Sequence, residues 1–221
     1  MNNPIIIGKA TLHNCDCMEL LKATPDKFYD LAIVDPPYGI GIDGQKETVN
    51  KLRNPKQNRK SHKVKNWDDA IPDADYFREL ERVSKNQIIW GANYFVLHLN
   101  LAKKGWIFWF KGQEGLTMSD GEIAYSSFDK PTRQVNINRV ELLKDGTIHP
   151  TQKPVKLYEW LLTNYAKQGD KILDTHLGSG SHAIACNNLG FELTACELDK
   201  DYFDASVKRI TQANAQIRMF A

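Results

Sequence analysis

The chain has few cysteines and no long apolar run. No stretch of its 221 residues approaches the length of a membrane span, and the N-terminus lacks the basic and apolar regions of a signal peptide. The four cysteines form no C-x-x-C pair and have no zinc-like spacing to histidine, so we expect free thiols and no bound metal. These absences indicate a soluble, cytoplasmic protein without a membrane partner.

Positive charge is concentrated in one stretch of the chain. The formal net charge is only +2, but Gly44–Trp67 holds eight basic residues against the single acid Glu47. Because this stretch has almost no apolar residues, we expect a mobile loop at about 44–67. It suits contact with nucleic-acid phosphates, although a solvated run of charge is the alternative. The candidate phosphate-binding residues are Lys51, Arg53, Lys56, Arg59, Lys60, Lys63 and Lys65.

Segments with strand and helix periodicity alternate along the chain. This alternation predicts a doubly wound α/β fold with a mostly parallel sheet covered on both faces, in one domain over residues 1–221. The predicted strands are Lys9–Asn14, Leu31–Asp35, Gln87–Trp90, Trp106–Phe110, Glu122–Ser126, Thr132–Arg139 (a strand or an extended loop), Lys171–Asp174 and Phe191–Ala195. The predicted helices are Asp16–Lys22, Pro72–Ser84, Ala92–Leu99, Pro154–Lys167, Gly180–Leu189 and Lys200–Arg218.

The tetrapeptide Asp35-Pro36-Pro37-Tyr38 follows the apolar run Leu31–Val34. A buried strand therefore delivers a carboxylate, and two prolines prevent both ladder pairing and helix formation beyond it. This predicts a stiff turn with a carboxylate and an aromatic ring at its rim. A nucleobase could stack on Tyr38 while its exocyclic amine contacts Asp35 and the Pro36 carbonyl. A purely structural turn is the alternative.

A second candidate site is a glycine-rich turn between a strand and a helix. The strand ending at Asp174 is followed by Gly178, Ser179 and Gly180, where the backbone can approach a ligand closely and the helix offers free amides. Glu197 ends the next strand 19 positions after Gly178, close to the interval at which an acid binds ribose hydroxyls. Because a third glycine is absent, we expect a nucleoside cofactor without pyrophosphate; a plain structural junction is the alternative.

Taken together, five segments resemble the S-adenosylmethionine-dependent DNA amino-methyltransferases. The Asp-Pro-Pro-Tyr motif precedes the glycine-rich turn, which is the order that marks the beta group of this family. The matching segments span nearly the whole chain, and they are Asn14–Cys17, Asp35–Tyr38, His149–Pro154, Asp174–Gly180 and Ala195–Asp199.

The resemblance implies a Rossmann-like sheet of seven strands, one of them reversed, with a catalytic half at 1–148 and a cofactor half at 149–221. It implies S-adenosylmethionine as cofactor, with Asp174 and Gly178 near its methionine end. By the same resemblance, Glu197 binds the ribose hydroxyls, Asp16 binds the adenine amino group and Lys153 closes the pocket. The implied cofactor-binding set is Asp16, Lys153, Asp174, His176, Gly178, Ser179, Gly180 and Glu197.

Two positions depart from the family's usual sequence. Thr175-His176 stands where the family usually has Pro-Phe, and Ser181-His182 stands where it has Thr-Thr. We expect His176 either to replace the usual aromatic side chain or to leave its contact unmade.

The resemblance implies methyl transfer to the exocyclic amine of a flipped base in DNA, with Asp35, Pro36, Pro37 and Tyr38 as catalytic residues and Tyr38 as the stacking platform. Asp at the first motif position favours adenine N6. Cytosine N4 and a catalytically silent DNA-binding module are the alternatives. A promiscuous enzyme and one that depends on a partner or on homodimerisation both stay open.

Overall fold

The computed structural model describes residues 3–43, 65–99, 105–112, 119–138 and 147–220. Within these ranges nine strands form one sheet, in the spatial order β1-β2-β9-β8-β3-β4-β6-β5-β7. The strands are β1 (Ile5–Ile7), β2 (Ala10–Asn14), β3 (Tyr29–Val34), β4 (Ser84–Trp90), β5 (Trp106–Phe110), β6 (Gly121–Ser126), β7 (Arg133–Asn136), β8 (Lys171–Asp174) and β9 (Glu192–Glu197). The α-helices are α1 (Cys17–Ala23), α2 (Ala74–Val83), α3 (Val155–Tyr165), α4 (Ser181–Leu189) and α5 (Lys200–Phe220).

The centre of the sheet is parallel, which confirms the predicted α/β fold class. Strands β2, β9, β8, β3 and β4 run in one direction, so their carboxyl ends lie at one edge of the sheet. Strand β6 is antiparallel to β4, so its first residues lie at that same edge. Open sheets of this kind bind ligands outside the carboxyl ends of their strands.

The strand count differs from the seven strands, one of them reversed, that the family resemblance implied. In the described ranges the sheet has nine strands, and both β1 and β6 are reversed. Strand β1 is only three residues long and lies at the sheet edge, where Ile5 and Ile6 are 39% and 69% exposed. A short apolar segment that is not buried carries no alternating pattern from which a strand could be predicted.

Two apolar clusters cover the two faces of the sheet. Alternate residues of β3 enter different clusters, with Leu31 and Ile33 in one and Ala32 and Val34 in the other. Since successive side chains of a strand point to opposite faces, the clusters lie on opposite sides of the sheet. Helices α1 and α2 contribute to the second cluster, and α3, α4 and α5 contribute to the first.

The starts of α1 and α2 are set by capping carboxylates. Asp16 is the predicted cap of α1, and its Oδ1 accepts a hydrogen bond from the Met18 amide at 2.8 Å. Helix α2 begins at Ala74 instead of Pro72, because the Asp73 side chain accepts from the Tyr76 amide at 3.0 Å and so fixes the first turn.

The predicted helix Ala92–Leu99 is wrong. Only Ala92–Tyr94 forms a short 3-10 turn. Of the three apolar residues that follow, Phe95 is fully buried, whereas Val96 and Leu97 are 48% and 91% exposed. Leu99 packs against the second cluster, so only about half of the apolar side chains that follow the turn are available to stabilise a helix by packing.

The four cysteines are free thiols, as their spacing predicted. Among the described residues, every helix is either too short or too polar to cross a lipid bilayer.

Candidate active site

The turn after β3 and the bend after β8 open into one cavity of about 680 Å³. Asp35 and Pro37 line it from the turn, and Gly178 and Glu197 line it from the bend and the end of β9. Its volume lies in the range of small-molecule and cofactor pockets. The two motifs that the sequence singled out separately therefore face a common space.

The turn Asp35–Tyr38 holds the carboxylate of Asp35 in place through one of its own side chains. Strand β3 is almost completely buried, and Asp35 follows it directly. The Tyr38 hydroxyl donates a hydrogen bond to Asp35 Oδ1 at 2.6 Å. The Tyr38 ring stacks on the Tyr94 ring, with centroids 5.0 Å apart and planes 16° apart. One face of the ring already has an aromatic partner, and Tyr38 lies behind Asp35 rather than on the cavity wall.

Asp68 organises the backbone that follows this turn. It is fully buried, and its Oδ1 accepts from the amides of Tyr38 and Gly39 at 2.7 and 2.9 Å. Its Oδ2 accepts from the amides of Ile40 and Ile42 at 3.3 and 2.9 Å. One carboxylate thus accepts hydrogen bonds from four main-chain donors and fixes the path of the chain after the turn.

A half-buried network of charges surrounds Asp35, with the buried Lys153 at its centre. The Lys153 ammonium lies 2.5 Å from Asp35 Oδ2 and 3.0 Å from Glu122 Oε2. The Lys111 ammonium lies 2.5 Å from Glu122 Oε1. Two carboxylates therefore balance two ammonium groups, and the Tyr38 hydroxyl lies 3.3 Å from the Lys153 ammonium beside them.

Burial and the neighbouring charges shift the pKa values of Asp35, Glu122 and Lys153. Burial raises the pKa of Asp35, while Lys153 opposes that shift. Burial alone would also raise the pKa of Glu122, but Lys153 and Lys111 outweigh it and lower that pKa to about 2. Burial disfavours the Lys153 cation, but Asp35 and Glu122 raise its pKa. Glu122 is thus the more firmly ionised of the two carboxylates.

Glu197 presents a fixed carboxylate to the cavity. Its Oε2 accepts from the Gly178 amide at 2.9 Å, and its Oε1 accepts from the Asp199 amide at 3.0 Å. A carboxylate has about four acceptor sites, so each oxygen can still accept from a ligand hydroxyl. Burial raises the pKa of Glu197, although the two amides oppose that shift.

Asp174 and Gly180 contact other residues of the protein around the bend and do not line the cavity. Asp174 Oδ1 accepts from the His176 amide, and its Oδ2 bonds His182 Nδ1, both at 3.0 Å. A Cβ added to Gly180 would lie 2.8 Å from Ile210 Cδ1, so this glycine allows α5 to pack closely. Of the residues predicted to bind the cofactor, Asp16, Lys153, His176, Gly178, Ser179 and Glu197 line the cavity, and Asp174 and Gly180 lie outside its lining. Their cofactor contacts stay predictions.

His176 occupies the position where the resembled family has an aromatic residue. It lines the cavity and packs edge-on against Tyr76, with ring centroids 5.6 Å apart. Its Nδ1 lies 2.9 Å from the Thr175 hydroxyl, which in turn lies 2.7 Å from the Tyr76 hydroxyl. Burial lowers the pKa of His176 to about 4, so the imidazole is neutral near pH 7. It therefore presents an uncharged aromatic ring.

The aromatic part of the cavity wall was not predicted as a ligand surface. Trp67 packs on His149 with ring centroids 5.1 Å apart, and His149 packs on Tyr202 at 4.4 Å. The Lys65 ammonium lies 2.6 Å from Asp199 Oδ1 and 2.8 Å from Asp201 Oδ2. Lys65, predicted to contact phosphate, is thus paired with two acids at the cavity rim. The other predicted phosphate-binding residues, Lys51, Arg53, Lys56, Arg59, Lys60 and Lys63, lie outside the described residues.

The cavity is lined by side chains with oxygen and nitrogen atoms that can form hydrogen bonds with an organic ligand, such as those of Asp16, Gln152 and Glu197. In the ranges that the structure describes, groups of three or more His, Cys, Asp or Glu side chains placed to hold a metal ion are absent.

The fold and cavity define a doubly wound α/β protein with a ligand site at the carboxyl ends of its parallel strands. The family model described as "DNA methylase" matches residues 89–208, which is more than half of the chain. The protein therefore belongs to this family of N6-adenine and N4-cytosine amino-methyltransferases, which confirms the resemblance seen in the sequence. The family uses S-adenosylmethionine.

Individual relatives agree with this assignment. The type II methyltransferase M2.DpnII of Streptococcus pneumoniae is 36% identical over 66 residues, which are 30% of this chain. That match spans 25% of the length of M2.DpnII. The crystal structure of an M1.HpyAVI–SAM complex aligns with a TM-score of 0.60 and 21% identity, over 90% of this chain and 99% of that one. The PvuII DNA methyltransferase (cytosine-N4-specific) aligns with a TM-score of 0.58 and 16% identity, over 95% and 92% of the two chains. These two likenesses show a shared fold.

Proposed function

We propose that the protein transfers a methyl group from S-adenosylmethionine to the exocyclic amine of a flipped base in DNA, and that the base is adenine. The observation that carries this proposal is that Asp35 and Glu197 line the same cavity. A base amine at Asp35 and a nucleoside at Glu197 would then be neighbours. The Asp at the first motif position supports adenine N6 over cytosine N4.

The cavity residues fit the proposed cofactor. Glu197 has acceptor sites left for ribose hydroxyls, and Asp16 offers a carboxylate to the adenine amino group. Trp67 and the neutral His176 ring offer aromatic surfaces to the same space. When bound, S-adenosylmethionine supplies an electrophilic methyl group on a positively charged sulfur.

Asp35 has the central chemical role in this proposal. The lone pair of a nucleobase amine is delocalised into the ring, so the nitrogen is a poor nucleophile. Hydrogen bonds from the amine to Asp35 and to the Pro36 carbonyl favour a pyramidal nitrogen with a usable lone pair. Asp35 then takes up the proton that the amine releases, and its raised pKa suits that task. Pro36 and Pro37 hold the turn rigid, so that the reacting atoms can approach to about 3–3.5 Å.

A paired base cannot reach this turn, so the target base has to be flipped out of the duplex. We propose that Tyr38 becomes its stacking platform once the ring leaves its present stack on Tyr94, and that the basic segment at 44–67 contacts the phosphates. The continuous sheet across both motifs supports a single methyltransferase domain over residues 1–221.

The test is to incubate the purified protein with S-adenosylmethionine and DNA and to identify methylated nucleosides by mass spectrometry after digestion. We expect N6-methyladenine. The Asp35→Ala variant should bind the cofactor but lose methyl transfer by orders of magnitude. N4-methylcytosine alone would contradict the choice of adenine. DNA and cofactor binding without methylation of either base would indicate a silent DNA-binding module instead.

A further inference from the structure

Each oxygen of the Asp35 carboxylate already has one close partner. Lys153 lies 2.5 Å from Oδ2, and the Tyr38 hydroxyl lies 2.6 Å from Oδ1. Under the proposed function, on which this inference rests, a base amine must donate a hydrogen bond to the same carboxylate. Each oxygen has a second acceptor site for that bond, but an ammonium 2.5 Å away makes the carboxylate a weaker acceptor for the proton that the amine releases. Asp35 therefore accepts the amine and its proton more readily when Lys153 moves away.

Lys153 is the partner with the closer alternative, since the Tyr38 hydroxyl lies 3.5 Å from Glu122 Oε2. Its ammonium already lies 3.0 Å from Glu122 Oε2, whereas its side chain is only 2% exposed and cannot turn to solvent. Moving a buried ammonium away from all carboxylates would leave an unpaired charge, which is strongly unfavourable. A small shift towards Glu122 keeps it paired.

The second carboxylate oxygen of Glu122 is held by another ammonium group. Its Oε1 is fixed by the Lys111 ammonium at 2.5 Å, so Oε2 stays aimed at Lys153. The reversed direction of β6 explains the placement, because Glu122 is at the start of that strand and therefore at the carboxyl edge of β3 and β4. Lys111 directly follows β5, whose residue Trp109 pairs with Glu122.

We propose that Glu122 is a positioning residue for methyl transfer, which accepts the Lys153 ammonium when the target amine takes its place on Asp35. Glu122 touches neither the cofactor nor the base. It acts through Lys153 by freeing one oxygen of Asp35 without leaving a buried charge unpaired.

The first experiment uses Glu122→Gln, which keeps the size of the side chain but removes its charge. Steady-state methylation should show kcat reduced about 10- to 100-fold, because Lys153 stays on Asp35. KM for DNA and the Kd for S-adenosylmethionine should change less than twofold. Glu79→Gln is the matched control, since Glu79 is also 24% exposed and also bonds a basic side chain, that of Arg82. It should keep the wild-type kcat.

A double-mutant cycle with Lys153→Met separates this role from a merely structural one. If Glu122 acts through Lys153, Glu122→Gln should lower kcat less than threefold in the Lys153→Met background. Full additivity of the two losses would overturn the proposal, as would a kcat of Glu122→Gln within threefold of wild type.

Thermal unfolding and cofactor titration of each variant check that it is folded. Should Glu122→Gln fail to fold, Glu122→Asp replaces it, and a kcat equal to that of wild type despite the shorter side chain would overturn the proposal. A wild-type protein that methylates no base would overturn the proposed function and this inference together. Active wild-type and Glu79→Gln proteins beside an equally active Glu122→Gln would overturn this inference alone.

Discussion

The backbone of Gly91 lies directly against the ring of Tyr38, and a Cβ added at Gly91 would lie 2.1 Å from Tyr38 Cε1. Gly91 also has a φ of +71°, a conformation that side chains rarely adopt. The residue after β4 thus fixes the position of the motif that follows β3. Tyr38 in turn holds Asp35 through its hydroxyl.

Gly91→Ala should therefore displace the Tyr38 ring and reduce methyl transfer by at least tenfold. Gly169→Ala is the control, because Gly169 has a φ of +91° but has nothing within 4 Å of its added Cβ. Both variants should lose about 1 kcal/mol of unfolding free energy from the left-handed backbone conformation. Denaturant unfolding and methylation rates measure the two effects, and equal activities in both variants would contradict the steric argument.

Asp68→Ala should destabilise the protein and disorder the turn after Asp35. Removing the buried carboxylate leaves four part-buried amide donors without their acceptor, so we expect a loss of about 2 kcal/mol in unfolding free energy. The neighbouring Asp69→Ala, at an exposed position, should change it by less than about 0.5 kcal/mol. Chemical denaturation gives both values, and similar values for the two variants would contradict the role given to Asp68.

The sequence predicted those parts of the site in which a motif and its strand are adjacent in the chain. A predicted strand leads directly to each of three chemical features, which are Asp35, the bend at Gly178 and Glu197. Their positions in the site could therefore be predicted from local sequence. The cap at Asp16 is equally local. Each of these features lines the cavity.

Glu122, Asp68 and Trp67 were missed because their roles depend on long-range geometry. Glu122 reaches Asp35 only because β6 runs antiparallel beside β4, and strand order is not encoded in local periodicity. Asp68 bonds amides 26 to 30 positions earlier in the chain. Trp67 ends a basic stretch poor in apolar residues, and a tryptophan there was the one signal that could have suggested a buried contact.

Trp67→Ala should weaken cofactor binding without unfolding the protein. The ring is part of the cavity wall and packs on His149, so its loss removes one aromatic surface from the ligand site. Stacking contacts of this kind contribute about 0.5–1.5 kcal/mol, so we expect a roughly tenfold higher Kd at most. Trp67→Phe should restore most of the affinity. Calorimetric titration with S-adenosylmethionine measures the change, and an unaltered Kd in Trp67→Ala would place the cofactor elsewhere.

His176 should make the stability of the protein depend on pH between about 4 and 6.5. Its folded-state pKa is lowered to about 4, whereas in the unfolded chain it titrates near 6.5. Between these values the unfolded state binds the extra proton, so the free energy of unfolding falls as the pH falls.

His176→Phe tests this directly, because phenylalanine restores the residue usual in the family and cannot be protonated. The variant should lose less stability than wild type when the pH is lowered from about 7 to 4.5, as measured by urea unfolding at each pH. Some slope should remain, since burial also lowers the pKa of His13. Cofactor affinity at pH 7.5 should be equal to or higher than that of wild type, because the neutral imidazole already acts there as an aromatic surface. An unchanged pH slope in His176→Phe would show that the imidazole is protonated as readily in the folded protein as in the unfolded chain.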